Sequence, residues 1–270
     1  MSERERLLRL DGRTSVITGA AQGIGAATAA GFADLGANLV LVDRSGEVLD
    51  ATATLLDRRG AAVASIVGDV RDTAVVEATV QTAVERFGGI DVLVNNAGGG
   101  FHAPFAGISA KGEAALIAEN FTQVTDFIRR SLPHVPESGA SIINVTSIEA
   151  HRAGPGFSIY SAMKAALENL TRTLAVELAP RGIRVNCIAP DMIPTPGDAG
   201  LSEESAAMSD GRYYPTPLGT MGSAEHAANV AAFLASELSA FVTGTTIHLD
   251  GGNLASSGWR RRRSDDSWVL

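Results

Sequence analysis

Short apolar runs rich in β-branched residues alternate along the chain with longer stretches in which apolar positions recur at helical spacing. The runs at 15–18, 38–42, 62–67, 91–94, 141–146, 181–189 and 245–249 read as strands. An alanine-rich stretch ending near Gly36 and segments at 47–59, 73–87, 111–131, 158–179 and 224–235 read as helices. The strands are apolar at nearly every position, the pattern of a sheet covered on both faces. Strand and helix in regular alternation predict an α/β fold: a doubly wound, seven-stranded, mostly parallel sheet with helices on both faces. The stretch 190–222 is rich in proline and glycine and too long for a simple connection, so it reads as a lobe that covers substrate.

Composition narrows the class. A chain of 270 residues, 45% hydrophobic and 19% charged, suits one large core, and residues 1–253 read as a single domain followed by a tail at 254–270. The net charge of −8 argues against nucleic acid or an anionic membrane as the main partner. Cys187 is the only cysteine, which excludes an intramolecular disulfide. The polar leader alternates charges and lacks the apolar segment of a secretory signal, so a cytoplasmic protein is expected. An uncharged run at 14–33 contains four glycines and several polar residues, which argues against a membrane span. His102, His134, His151, His226 and His248 have no ligand spacing, so no metal is expected; His102 and His151 follow strands of the candidate site and could line a substrate pocket, but surface-loop positions are the favoured expectation.

The candidate chemistry gathers at the strand ends. Gly19, Gly23 and Gly25 fall between the first strand and its helix, where glycine lets backbone approach a pyrophosphate and the helix start meets its charge. Asp43 ends the second strand, eighteen residues after Gly25, placed to accept hydrogen bonds from an adenosine ribose and to repel a 2′-phosphate. That predicts NAD rather than NADP, although Arg44 beside it would offset part of the repulsion. Asp69, just past the third strand, could contact an adenine amino group or cap the helix beginning near Thr73. Asn96, Ala97 and Gly98 follow the fourth strand, where asparagine side chains can tie loops together and glycine admits a flat ring. Asn120 lies in the middle of a helix, where it needs partners if buried. Ser147 stands at the carboxyl end of the fifth strand, the place where open α/β sheets bind ligands.

Tyr160 and Lys164 stand four positions apart in a chain with only three tyrosines and two lysines. On a helix they share one face, and the ammonium would favour the phenolate, making a usable general acid and base.

These residues occur together as TGAAQGIG at 18–25, an acidic end to the second strand, Asp69-Val70, NNAG at 95–98, Asn120, Ser147, Tyr160 and Lys164. In that order and spacing the chain resembles the short-chain dehydrogenase/reductase family over roughly residues 10–253. The resemblance implies a Rossmann-like fold, hydride transfer to or from a nicotinamide, an alcohol or ketone substrate, and a homotetramer or homodimer. It implies that Tyr160 exchanges a proton with the substrate oxygen, that Lys164 holds the nicotinamide ribose, that Ser147 hydrogen-bonds the substrate oxygen, and that Asn120 serves a proton relay. Thr195 would hold the nicotinamide carboxamide with Ile193 behind it. The dinucleotide cradle would comprise Gly19, Gln22, Gly23, Ile24, Gly25, Asp43, Asp69, Val70, Asn96, Ala97, Gly98 and Pro190, besides Tyr160 and Lys164.

One departure concerns Asp191, which stands where the family usually has glycine after Pro190; it is expected to disfavour substrates with an anionic group near the carbonyl. The tail, WRRRRSDDSWVL, reads either as a solvated end or as an arm whose Trp259, Trp268 and Leu270 dock on a neighbouring subunit. The competing functions are a 3-oxoacyl-thioester reductase, which would more naturally use NADPH, and a nucleotide-binding regulator without turnover. A nucleic-acid module built on the 260–263 arginine run is opposed by the overall acidity.

Overall fold

Seven apolar strands make the central sheet: β1 (Thr14–Thr18), β2 (Asn38–Asp43), β3 (Val63–Val67), β4 (Val92–Asn95), β5 (Ala140–Val145), β6 (Ile183–Pro190) and β7 (Thr246–Leu249). The computed structural model describes residues 2–198 and 211–270. The strands lie in the order β3-β2-β1-β4-β5-β6-β7, and every neighbouring pair is parallel, so the expected mostly parallel sheet is parallel throughout. The order reverses between β1 and β4, and that switch opens a crevice beyond the carboxyl ends of the strands.

Side-chain alternation explains why both faces are covered. Ile17, Leu39, Leu41, Val94 and Ile143 point to one face and pack with Phe32, Leu49, Leu56 and Leu234. Val16, Val40, Val42, Leu93 and Ile142 point to the other and pack with Val76, Val80, Phe127 and Leu167. The covering helices are α2 (Gly23–Asp34), α3 (Gly46–Arg58), α4 (Thr73–Phe87), α5 (Ala110–Ile117), α6 (Gln123–Ser131), α7 (Ser158–Glu177) and α8 (Ala224–Ala235), with a short α1 (Glu3–Leu8) ahead of them.

Three local features differ from the sequence reading. The polar leader begins with α1, which Ser2 and Glu5 close as a capping box. The helix expected at 111–131 is α5 and α6 joined by a π-helical turn, Ala118–Thr122, which inserts an extra residue where Asn120 sits. The tail contains an antiparallel pair, β8 (Arg260–Arg261) with β9 (Trp268–Val269). Of the expected lobe at 190–222, residues 199–210 lie outside the described residues.

Candidate active site

The crevice is a cleft of about 720 Å³, bordered by the carboxyl ends of β1 to β6. At its floor the turn after β1 is clamped to the loop after β4. The Thr18 hydroxyl accepts hydrogen bonds from the Asn96 and Ala97 amides at 2.9 Å each, and Asn96 Nδ2 donates to the Thr18 and Gly19 carbonyls at 2.9 and 3.1 Å. Gly19 turns with φ +65°, a left-handed conformation that favours glycine. A Cβ at Gly25 would lie 2.1 Å from the Gly19 carbonyl oxygen, so this glycine is a packing requirement. Gly19, Gln22, Gly23 and Ile24 line the cleft, while Gly25 supports the turn from behind.

Asp43 reaches the cleft with its carboxylate fixed: Oδ2 accepts from the Ala21 amide at 3.1 Å and Oδ1 from the Ser45 amide at 2.9 Å. Arg44 lines the cleft beside it. Asp69 and Val70 line the same end. Asp69 is not the helix cap; Asp72 caps α4 by accepting from the Ala74 amide at 2.9 Å. Hydrogen bonds from the Arg71 side chain instead hold Asp69, lowering its pKa to about 2. It is therefore anionic across the neutral range.

Ser147, Tyr160 and Lys164 meet at the other end of the cleft. β5 delivers Ser147, whose Oγ accepts from the Glu149 amide at 3.2 Å and so keeps its own hydrogen to donate elsewhere. α7 carries Tyr160 and Lys164 on one face, with the Lys164 ammonium 5.5 Å from the centre of the Tyr160 ring. Lys164 is buried and donates to the Val145 carbonyl at 3.0 Å. Burial lowers its pKa to about 8, against an opposing pull from Glu119.

Asn120 does not line the cleft. It is fully buried behind it, donating from Nδ2 to the Gly99 and Leu116 carbonyls at 2.8 and 3.0 Å and accepting the Gly99 amide at 3.2 Å. Asn120 and Lys164 both border Gly98: a Cβ there would stand 3.0 Å from Asn120 Oδ1 and 3.1 Å from Lys164 Nζ. The glycines after β4 thus leave space for side chains as well as for a ring. Ala97, Gly98, Pro190, Ile193 and Thr195 complete the predicted set along the cleft.

Sequence reasoning missed a supporting layer. Glu168, buried on α7 four residues beyond Lys164, accepts from Thr146 Oγ1 at 3.1 Å and pairs with His151 Nε2 at 2.8 Å. His151 sits on the expected surface loop, yet its ring turns inward, tying the segment after Ser147 to the helix of Tyr160. The spacing Tyr160, Lys164, Glu168 on one helical face was the available signal. His248 Nε2 lies 3.1 Å from His151 Nε2. Asn95, which read only as part of the loop motif, instead donates to Asn144 Oδ1 at 2.8 Å, and Asn144 to Thr171 at 2.8 Å, inside the sheet.

Asp191 lines the cleft, and its charge is partly met. Oδ2 faces Arg152 Nη2 at 3.1 Å and accepts from Asn253 Nδ2 at 3.0 Å, and Oδ1 accepts from the Met192 amide at 2.9 Å. Arg152 also binds Glu149 at 2.9 Å. Two carboxylates on one guanidinium leave a net negative charge of one, smaller than the pair alone would impose. Sequence spacing does not announce this network, because its members come from three separate segments, 149–152, 191–192 and 253.

Cys187 is buried and inert, its thiol pushed up to about 12 by burial. Among the described residues no three His, Cys, Asp or Glu side chains form a group able to hold a metal, and no helix is long and apolar enough to cross a membrane.

Comparisons with known proteins agree with this geometry. A family profile described as enoyl-(acyl carrier protein) reductase matches residues 19–253. The 3-oxoacyl-[acyl-carrier-protein] reductase of Thermotoga maritima is 38% identical over 91% of this chain and 99% of its own. The 3beta-hydroxysteroid dehydrogenase 1 of Eggerthella lenta is 37% identical over 93% and 97%. Among solved structures, a gluconate 5-dehydrogenase from Burkholderia cenocepacia, in complex with NADP and tartrate, superposes with a TM-score of 0.87 at 34% identity, covering 94% of this chain and 99% of that one. A short-chain dehydrogenase/reductase from Brucella melitensis gives 0.83 at 40% identity, covering 90% and 96%. With its cleft, its Ser147, Tyr160 and Lys164, and relatives matched almost end to end, this chain belongs to the short-chain dehydrogenase/reductase family of oxidoreductases.

Proposed function

We propose that this oxidoreductase is NAD-linked and interconverts a secondary alcohol and a ketone, with Tyr160 as the general acid and base. The observation that carries the cofactor choice is Asp43. Its carboxylate is held at the cleft by two backbone amides, where it would accept from ribose hydroxyls and oppose a 2′-phosphate. The cleft volume, the glycine turn after β1 and the start of α2 fit a dinucleotide. Gln22, Val70, Asn96, Ala97 and Pro190 would lie along it, with Thr195 and Ile193 at the nicotinamide end.

When bound, the dinucleotide supplies or receives the hydride. The protein's part is positional and electrostatic. Ser147 Oγ donates to the substrate oxygen and meets its developing charge. Tyr160 gives that oxygen a proton in reduction and takes it in oxidation. Lys164 favours the tyrosinate by its charge and would hold the nicotinamide ribose, while Asn120 fixes the Gly98–Gly99 backbone beside it. Phe157 packs edge-on against Tyr160, 6.3 Å between ring centres, and so helps to hold the phenol in place. The enzyme would act as a homotetramer or homodimer in the cytoplasm.

A second reading, reduction of 3-oxoacyl thioesters with NADPH, is favoured by the Thermotoga relative's activity and by Arg44 in the cleft. Fluorescence titration with NADH and NADPH separates the two. NADH binding more tightly is expected; tighter NADPH binding would overturn the cofactor assignment and favour the second reading.

A further inference from the structure

The arginine run of the tail has no place in the chemistry above, and it is not a frayed end. Arg260 stacks on the Tyr213 ring with its guanidinium 3.8 Å from the ring centre. Arg261 and Arg263 approach the Tyr214 ring at 4.1 and 4.8 Å. Backbone bonds join the same partners: the Tyr214 amide donates to the Arg261 carbonyl at 3.0 Å, and the Arg263 amide to the Arg212 carbonyl at 2.9 Å. Arg263 Nε donates to the Tyr213 carbonyl at 3.0 Å and Arg261 Nη1 to the Pro217 carbonyl at 3.1 Å. Segment 212–214 thereby adds a third antiparallel run to the β8–β9 pair, through the bridge between Tyr213 and Arg262.

The tyrosines belong to the lobe that borders the cleft. Downstream of them Thr216 is buried against Gly251, and the Gly222 amide donates to the Met192 carbonyl at 2.9 Å. Met192, with Asp191 and Ile193, lines the cleft, and Asp191 is itself held by Asn253. Chain beyond β7 therefore contacts described residues on either side of 199–210, at Asp191 and at Tyr213–Tyr214. Trp259 and Trp268 each remain 47% exposed on the outer side, so docking on a neighbour would not need these inner contacts.

We propose that residues 259–270 are a strap that fixes the substrate side of the cleft of their own subunit, with Arg260, Arg261 and Arg263 as positioning residues acting through Tyr213 and Tyr214. This rests on the proposed function, with substrate taken to enter the cleft beside Asp191 and Met192. Guanidinium stacking on tyrosine is worth a factor of about two to five per pair in an equilibrium constant. Three pairs therefore give about tenfold or more.

The test uses the full-length chain carrying R260A, R261A and R263A together, with Y214L and Y214F separately. Four quantities are read: amide exchange of residues 211–222, substrate KM and kcat, NADH affinity, and oligomeric state. In the triple variant and in Y214L, exchange of 211–222 should quicken about tenfold and substrate KM rise about as much. NADH affinity should stay within about twofold, because the β1 side is untouched. Y214F keeps the ring and should match the parent protein, which a general loss of folding would not spare. Unchanged exchange would overturn the proposal, as would a parallel loss of NADH affinity. Dissociation of the oligomer with exchange at 211–222 unaltered would also overturn it, and would make the arm a subunit contact. A parent enzyme that turns over no alcohol would refute the proposed function while the exchange result still decides the strap.

Discussion

The two ends of the cleft are built from the same strand-and-helix units, yet they hold their ligand groups in different ways. On the β1, β2 and β4 side the work is done by backbone and by small residues. Thr18 and Asn96 lace two turns together, Gly25 leaves no room for a side chain, and two amides fix Asp43. On the β6 and β7 side the corresponding positions carry charged and aromatic side chains that reach across the fold. Asp191 is tied to Arg152 and Asn253, and the lobe is tied to the tail arginines. The β1 end is thus held by backbone and small residues close in sequence, and the β6 end by side chains drawn from distant segments.

Removing the proposed proton donor, Tyr160, should separate the ends most sharply. Tyr160→Phe should lower turnover by about 10²- to 10⁴-fold while NADH affinity holds; steady-state kinetics beside a fluorescence titration reads both, and loss of binding would place Tyr160 in the cofactor site rather than the chemistry. The next effect is a pH dependence of stability. The folded pKa of Lys164, about 8, lies below its ordinary 10.5, so the unfolded chain binds the extra proton between those values. The penalty is present in full below pH 8 and fades as pH rises to 10.5, at most about 3 kcal/mol. Denaturant unfolding of the cofactor-free protein should show stability rising over that window relative to Lys164→Met; a flat difference would mean that Lys164 is better solvated than its burial implies.

Gly25→Ala tests the backbone end. A Cβ pressed against the Gly19 carbonyl should cost about 1–3 kcal/mol and weaken NADH binding, seen in thermal melts with and without NADH. Asp191→Gly tests the other end and should be the mildest. It removes the surplus negative charge and leaves Arg152 paired with Glu149 alone, so preference should shift about five- to tenfold toward substrates with an anionic group near the carbonyl, with NADH affinity unaltered. Equal kcat/KM ratios for acidic and neutral substrates in both proteins would show that Asp191 does not govern charge selection.

That contrast also explains what was legible in the sequence. Strand order, helices and the dinucleotide turn follow from local signals: apolar runs, glycines at fixed offsets, and Tyr160 and Lys164 one turn apart. The residues that slipped through act over long range. Glu168 gains meaning only once His151 and Thr146 fold against it. The Asp191 network joins residues up to 104 apart from Glu149 to Asn253. The π turn brings the Asn120 side chain to the Gly99 backbone, and Asp72, directly before Thr73, caps α4 while Arg71 holds Asp69. The tail read as charged and aromatic without a partner because its partners, Tyr213 and Tyr214, lie some fifty residues earlier in the chain.

The most direct test of the account is the absorbance of NADH formed when the enzyme is incubated with NAD and a panel of secondary alcohols. The account predicts formation by the parent protein on at least one neutral alcohol, far slower formation by Tyr160→Phe, and little with NADP. A parent protein that binds NADH but forms none across the panel, or a Tyr160→Phe protein that forms it as fast, would contradict it.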